Sequence, residues 1–232
     1  MIWTEFVNRD ALVEGVTIRV CRQLESCLAD GPSACIALAG GGTPMPIYAR
    51  LAETHLDWSQ VSAVPTDERW VTADHPANNA RQIGAQFAGS GLQVLSLVPD
   101  EAPGEADPQH AEAVLSSLPP PFDLVLLGMG DDGHFASLFP HSSALRQGLN
   151  PASPAAALAI QPDPLPPEAP FARISLSLAR LLRTRSLLLV ITGQAKRAVL
   201  EQATRTDADE QRLPIAALLR AASERLEIFW SP

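Results

Sequence analysis

The chain has 232 residues, of which 46% are hydrophobic and 19% charged, and its formal net charge is −9. A length of this order corresponds to one domain and is sufficient to bury a hydrophobic core without support from disulfides or metals. The apolar fraction excludes a disordered chain, and the acidic balance disfavours nucleic-acid binding, which requires a basic face.

Short apolar runs alternate with helical segments along the chain. Asp10 is placed to cap a first helix that we expect to run to about Ala29, before the break at Asp30-Gly31-Pro32. The apolar runs predict strands, and the glycine and polar residues between them predict loops and helix starts. The expected strands lie at residues 34–39, 61–64, 94–98, 122–127, 186–192 and 226–230, with further helices at residues 46–53 and from residue 194 onward.

The run at residues 34–39 is apolar without alternation, which is typical of a strand covered on both faces. Strands that alternate with helices predict an α/β fold: an open, mainly parallel sheet flanked by helices, in a single domain spanning residues 1–232. Two proline-rich segments, at residues 99–108 and 150–170, are predicted to be irregular surface connections. The second is either a plain connection or a flap beside the functional site.

Cysteine usage and the N-terminal residues bear on location. Cys21, Cys27 and Cys35 form an odd set without disulfide or metal-ligand spacing, as expected for thiols in a reducing compartment. Glu5 and Asp10 interrupt the segment that would be apolar in a signal peptide, and no apolar run reaches the roughly 18–20 residues that span a bilayer. We therefore expect a soluble cytoplasmic protein that does not bind membranes.

The first motif suited to chemistry is the loop Gly40-Gly41-Gly42-Thr43, between a predicted strand and a predicted helix. Consecutive glycines allow backbone N–H groups to approach an anion closely, and the helix start adds partial positive charge. The Thr43 hydroxyl is a further donor. The loop lacks the Lys-Ser/Thr pair of a nucleotide-binding P-loop. It is either a phosphate-ester site or simply a tight turn.

The second motif is Gly128-Met129-Gly130-Asp131-Asp132-Gly133-His134. A dinucleotide site is disfavoured because two carboxylates would repel a pyrophosphate, and the nearby Pro140 opposes a long helix. The loop instead places a histidine next to a carboxylate, and histidine is well suited to proton transfer near neutral pH. The position in a loop favours a histidine that transfers protons and that Asp132 can orient; the alternative is a histidine that only makes structural hydrogen bonds.

Two further sites carry positive charge after predicted strands. Arg69, in Asp67-Glu68-Arg69, can bind a phosphate through its guanidinium, although such a run can equally be a surface charge cluster. Lys196, the only lysine, lies in the first turn after Gly193 and can reach an anion at that helix end or remain solvated. The remaining histidines show no metal-ligand spacing, so no metal is expected.

Taken in order, these motifs resemble the 6-phosphogluconolactonase family, which belongs to the fold group of the glucosamine-6-phosphate isomerases and deaminases. The resemblance spans most of the chain, and its most specific part is the stretch at residues 128–140. The family often has Ser at the position of Gly42 and Thr at that of Phe135. The matching segments are residues 39–44 (AGGGTP), 66–71 (TDERWV), 78–79 (NN), 128–140 (GMGDDGHFASLFP), 173–176 (RISL) and 192–196 (TGQAK).

The resemblance implies a Rossmann-like fold and hydrolysis of 6-phospho-D-glucono-1,5-lactone to 6-phosphogluconate in the oxidative pentose phosphate pathway, without cofactor or metal. His134 would activate water and Asp132 would support it. The residues implied to bind the substrate and its phosphate are Gly41, Gly42, Thr43, Asp67, Arg69, Arg173 and Lys196.

Two alternatives remain from the sequence. A glucosamine-6-phosphate deaminase or isomerase would share the Asp-Gly-His motif, but those enzymes typically have a Glu at the position of Phe139 and a Tyr at that of Arg69. A non-catalytic regulator would keep the phosphate loop but would not need Asp132 and His134. We expect a monomer or a weak homo-oligomer.

Overall fold

The structure, a computed structural model, describes residues 1–102, 104–118, 120–166 and 169–232. Its strands are β1 Ile2–Glu5, β2 Ala34–Leu38, β3 Val61–Pro65, β4 Asp67–Arg69, β5 Gln93–Val94, β6 Leu124–Leu127, β7 Ala157–Ile160, β8 Arg173–Leu176, β9 Leu187–Thr192 and β10 Leu226–Ser231. Its α-helices are α1 Arg9–Asp30, α2 Met45–Ala52, α3 Asn79–Gln86, α4 Gln109–Ser117, α5 Leu145–Gly148, α6 Leu178–Leu181, α7 Gln194–Ala203 and α8 Ile215–Ala222. Single 3₁₀ turns lie at Trp58–Gln60 and Ser223–Arg225.

Seven strands form one sheet in the order β1-β10-β9-β6-β2-β3-β5. Every neighbouring pair is parallel, so the predicted α/β fold with an open parallel sheet is confirmed. After β2 the chain continues to β3, which lies on the side of β2 away from β6. After β6 it continues to β9, which lies on the side of β6 away from β2. The strand order therefore reverses between the neighbours β2 and β6, and ligands of such sheets bind beyond the carboxyl ends of the strands at that point.

Both faces of the central strands β2 and β6 are buried, which explains why their sequences show no alternation. In β6, Leu124 and Leu126 pack in the core that contains α1, α2 and α3. Val125 and Leu127 pack on the other face, in the core that contains α4, α7 and α8. Successive side chains of a strand point to opposite faces, so a strand covered on both sides must be apolar throughout.

A second, three-stranded antiparallel sheet has the order β4-β8-β7. Its strand β7, Ala157–Ile160, lies within residues 150–170, which were predicted to be an irregular surface connection, and this strand corrects that prediction. The strand is held by pairing with β8, a distant partner that the local sequence does not reveal. Pro103, Pro167 and Glu168, which belong to the two proline-rich segments, lie outside the described residues.

Two local predictions also require correction. The N-cap of α1 is Asn8, whose Oδ1 accepts a hydrogen bond from the backbone N–H of Ala11, and Asp10 lies in the first turn. The strand expected at residues 94–98 is only Gln93–Val94. Beyond it, the Ser96 hydroxyl makes hydrogen bonds with the backbone of Val98 and turns the chain. Leu97 and Val98 are apolar because they are buried in the core, not because they belong to a strand.

Candidate active site

A cavity of about 360 Å³ opens at the carboxyl ends of β2 and β6, where the strand order reverses. It contains segments that lie far apart in the sequence, and these come together because parallel strands all end at the same edge of the sheet. The lining residues are Ala39, Gly40, Gly41, Gly42, Thr43, Pro44, Asp67, Arg69, Asn79, Gly128, Met129, Gly130, His134, Phe135, Ala136 and Lys196.

The glycine loop forms the wall of the cavity that follows β2. Gly41 has a φ of +94°, a left-handed conformation that side chains other than glycine rarely adopt. The loop leads into α2, which begins at Met45 and has a proline in its first turn, a common helix start. The hydroxyl of the buried Tyr48 donates a hydrogen bond to the Ala39 carbonyl at 2.8 Å and fixes the end of β2.

The second glycine loop holds a histidine against a carboxylate. The Nδ1 of His134 lies 2.6 Å from Oδ1 of Asp132, and the backbone N–H of His134 donates to the same oxygen at 3.1 Å. Gly130 permits this close packing, because a Cβ there would lie 2.2 Å from the imidazole ring. The Phe139 ring packs against the imidazole, with centroids 4.1 Å apart and the ring planes tilted by 35°. The imidazole is about one-quarter exposed and borders the cavity.

Asp132 remains ionised in this arrangement. Burial acts to raise the pKa of Asp132, but the hydrogen bond and the charge of His134 outweigh it and lower the pKa below its ordinary value. In the neutral form of His134, the ionised carboxylate favours the tautomer with its proton on Nδ1, which leaves Nε2 as an acceptor.

Glu68 is the buried anchor of the segment that carries Asp67 and Arg69. It is 0% exposed and accepts hydrogen bonds from the backbone N–H groups of Arg69, Asn79 and Ala80 at 2.7–2.8 Å. Burial raises the pKa of Glu68 to about 7, against the opposing effect of these donors. The Asp-Glu-Arg run is therefore not a surface charge cluster, because its central carboxylate ties β4 to the start of α3.

Asp67 and Arg69 flank this anchor and both line the cavity. The Ser137 hydroxyl donates to the Asp67 carboxylate at 2.5 Å, which joins β4 to the loop that carries His134. One guanidinium nitrogen of Arg69 donates to the Ala77 carbonyl at 2.6 Å. Each charged side chain is therefore held in its direction by hydrogen bonds to the protein.

Lys196 enters the cavity from the end of β9. The turn before it has Gly193 at a φ of +89°. This glycine is held to β10, because its N–H donates to the Ser231 carbonyl at 2.9 Å and its carbonyl accepts from Nε1 of Trp230 at 3.0 Å. The first turn of α7 therefore places Lys196 at the cavity wall.

Arg173 differs from the other predicted site residues because it is not among those that line the cavity. Its side chain is buried, and one guanidinium nitrogen donates to the Ala169 carbonyl at 2.7 Å. Burial lowers the pKa of Arg173 to about 10, against the opposing charge of Asp67. The structure therefore leaves Arg173 outside the set of lining residues, and its predicted contact with the substrate stays a prediction.

Sequence reasoning did not select Asn79 as a site residue, although it lines the cavity and is 1% exposed. Its Nδ2 donates to the Asp67 carbonyl at 2.7 Å, and its Oδ1 has no hydrogen-bond partner among the described residues. A Cβ added to Gly40 would lie 2.2 Å from that oxygen. The pair Asn78-Asn79 belongs to the segments that resemble the family, and this was the available signal.

Replacement of Gly40 by alanine is expected to displace Asn79 and loosen its contact with Asp67. We expect a loss of about 1–3 kcal/mol in the free energy of unfolding, typical of overpacking, measured by denaturant unfolding. Gly84→Ala is the matched control, because a Cβ there would meet only Val94 at 4.0 Å. Equal stability of the Gly40→Ala variant and the wild type would show that the close approach is not needed.

A second cavity of about 620 Å³ also borders His134 and contains Asp163, Pro164, Leu165 and Pro166 among its lining residues. The structure therefore places part of the second proline-rich segment beside the candidate site. Whether this segment acts as a flap stays a prediction.

Among the described residues, no group of three or more His, Cys, Asp or Glu side chains is arranged to hold a metal ion. No helix in the described ranges is both long and apolar enough to cross a membrane.

A His–Asp pair and a glycine loop with two nearby cations, at the switch point of a parallel sheet, define an α/β enzyme for a small anionic molecule. The family described as glucosamine-6-phosphate isomerases/6-phosphogluconolactonase matches residues 7–230. The chain belongs to this family. The predicted family and enzyme class are thereby confirmed.

Similar proteins in this family are named 6-phosphogluconolactonase, the second of the two names in the family description. A 6-phosphogluconolactonase of Mesorhizobium japonicum is 35% identical, over 99% of this chain and 95% of its own. One of Pseudomonas aeruginosa is also 35% identical, over 94% of this chain and 90% of its own. The crystal structure of a 6-phosphogluconolactonase from Shewanella baltica matches with a TM-score of 0.90 and 32% identity, over 100% of this chain and 98% of that chain.

Proposed function

We propose that this chain hydrolyses 6-phospho-D-glucono-1,5-lactone to 6-phosphogluconate, a reaction of the oxidative pentose phosphate pathway, with His134 as the base that activates water. The observation that carries the proposal is that one cavity contains both the imidazole and the positively charged groups suited to a phosphate. The relatives named 6-phosphogluconolactonase support the same reaction.

The His134–Asp132 pair supports water activation. Nε2 takes a proton from water while the water oxygen bonds to the lactone carbonyl carbon, and the resulting imidazolium is stabilised by the ionised Asp132. The tetrahedral intermediate collapses as the bond from this carbon to the ring oxygen breaks. The ring oxygen receives the proton from His134, and the products are a hydroxyl and a carboxylic acid that ionises in water. N–H groups of a glycine loop can stabilise the oxyanion.

The phosphate is remote from the reacting carbon, so its contribution is to position the lactone. Arg69 and Lys196 supply charge, and the N–H groups of Gly41, Gly42 and Thr43 supply donors beside the start of α2. The net charge of −9 does not oppose this, because salt screens exposed charges beyond about 8–10 Å. Asp67, a carboxylate, is unsuited to the phosphate and is assigned to a sugar hydroxyl.

The deaminase alternative is disfavoured by the surroundings of His134. Ring opening and proton transfer in an amino sugar need a further acid or base at the reacting carbons. Here the side chain at position 139, whose ring lies beside the imidazole, is a phenylalanine, which cannot serve as an acid or base in addition to Asp132 and His134. A non-catalytic regulator would have no need for the contact between Asp132 and His134.

We propose that the enzyme works in the cytoplasm without cofactor, metal or nucleic acid, as a monomer or a weak homo-oligomer.

The proposed function predicts a strong preference for the phosphorylated lactone. We expect kcat/KM for freshly prepared 6-phosphogluconolactone to exceed that for glucono-1,5-lactone by at least about 100-fold, because two charged contacts are lost with the phosphate. Acid release at constant pH, corrected for spontaneous hydrolysis, measures both rates. Equal values for the two lactones would contradict a phosphate site in this cavity.

A further inference from the structure

Arg9 makes a contact with the glycine loop that neither the motifs nor the family resemblance indicated. Its Nη2 donates a hydrogen bond to the Gly42 carbonyl at 2.8 Å, across 33 residues of sequence. Among the described residues, no other side chain donates a hydrogen bond to the loop at residues 40–43. Arg9 itself is exposed and is not one of the residues that line the cavity.

The position of Arg9 in its helix is unfavourable by local rules. It is the first residue of α1, where the partial positive charge of the helix N-terminus disfavours a cation. The acidic residue of this first turn, Asp10, has the favourable sign. The Gly42 carbonyl offers Arg9 a hydrogen-bond partner outside α1. This tertiary contact, and not the electrostatics of the helix, explains why an arginine lies at this position.

The loop that Arg9 contacts has little other lateral support. A Cβ placed on Gly41 or on Gly42 would meet nothing within 4 Å. Consecutive glycines also have many accessible backbone conformations, so the loop loses much entropy when it is ordered. A side chain that fixes one of its carbonyls therefore has a direct effect on which way its peptide groups point.

The direction follows from peptide geometry. In a trans peptide, the C=O of one residue and the N–H of the next point in opposite directions. The Gly42 carbonyl is directed towards Arg9, which lies outside the cavity, so the N–H of Thr43 is directed to the opposite side. Thr43 lines the cavity. Among the described residues, the N–H groups of Gly41, Gly42 and Thr43 have no hydrogen bond to a protein acceptor.

We propose that Arg9 is a positioning residue for phosphate binding, which presets the peptide between Gly42 and Thr43 so that its N–H faces the phosphoryl group of the substrate. The proposal rests on the proposed function, in which this loop holds the phosphate. The guanidinium adds a positive charge behind the loop, where it reinforces the attraction of an anion without contacting it.

Arg9→Ala tests the proposal by separating KM from kcat. We expect KM for 6-phosphogluconolactone to rise about fivefold, the effect of one charge-assisted hydrogen bond on an exposed loop, while kcat changes little. The inhibition constant of inorganic phosphate should rise by the same factor. The rate with glucono-1,5-lactone, which lacks the phosphate, should stay the same. Arg9→Lys should recover part of the loss because it retains a cationic donor.

Arg22→Ala is the matched control, because Arg22 is exposed on the same helix and removal of its charge leaves the loop contact intact. Its KM should equal that of the wild type. An unchanged KM in Arg9→Ala, or an equal loss with both lactones, would overturn the positioning role. If Lys196→Ala raises KM while Arg9→Ala does not, only the inference about Arg9 fails. If the wild type shows no preference for the phosphorylated lactone, the phosphate site and the Arg9 inference both fail.

Discussion

Replacement of His134 by alanine is expected to lower kcat for 6-phosphogluconolactone about a thousandfold, within the range that general base catalysis contributes. The variant loses the imidazole that we propose as the base but keeps the groups assigned to the phosphate, which lie on other segments of the cavity wall. We therefore expect KM to change much less than kcat. Acid release from fresh lactone, measured beside the spontaneous reaction, gives both constants.

Two further variants sharpen this test. Asp132→Asn should reduce kcat by a smaller factor, because an amide at the position 2.6 Å from Nδ1 can still contact the ring but cannot stabilise its cation. His110→Ala is the control, because His110 is exposed near the start of α4 and is not among the residues that line the cavity. A His134→Ala variant that hydrolyses the lactone at the wild-type rate would refute the assignment of the base.

Replacement of Lys196 by alanine is expected to raise KM for the phosphorylated lactone about 10- to 100-fold, the range for loss of a charged hydrogen bond to an anion. The change in kcat should be small, because the phosphate lies away from the reacting carbon. With glucono-1,5-lactone the variant and the wild type should have similar constants. Lys196→Arg should lie between the two, since it keeps the charge but changes the donor geometry.

The presence of a single lysine allows an independent measurement of the same contact. Lys196 carries the only side-chain amine in the sequence, so an acylated lysine found by mass spectrometry can only be Lys196. We expect 6-phosphogluconate to protect Lys196 from acylation, as followed by mass spectrometry, and unphosphorylated gluconate not to do so. A KM that does not change in Lys196→Ala, together with no protection by 6-phosphogluconate, would remove Lys196 from the phosphate site.

Several features of the site were predictable because their signals are local. The unalternating apolar runs predicted buried parallel strands, since a strand covered on both faces has no polar side. Glycine loops followed the runs that became β2, β6 and β9, and strand ends of a parallel sheet share one edge. The spacing of Asp132 and His134 in one glycine loop already placed the two side chains within reach of each other, and the structure has them 2.6 Å apart.

The amino-acid sequence alone therefore determined the α/β class, the strand ends that meet at the cavity, and the residue types available there for proton transfer and phosphate binding. Only the tertiary structure decided that Arg173 is buried, that Asn79 and Ser137 support Asp67, and that Arg9 reaches Gly42. It also decided that β7 pairs with β8 inside a proline-rich segment. These features depend on contacts between residues far apart in the chain, whose direction and burial are set by packing rather than by local propensity.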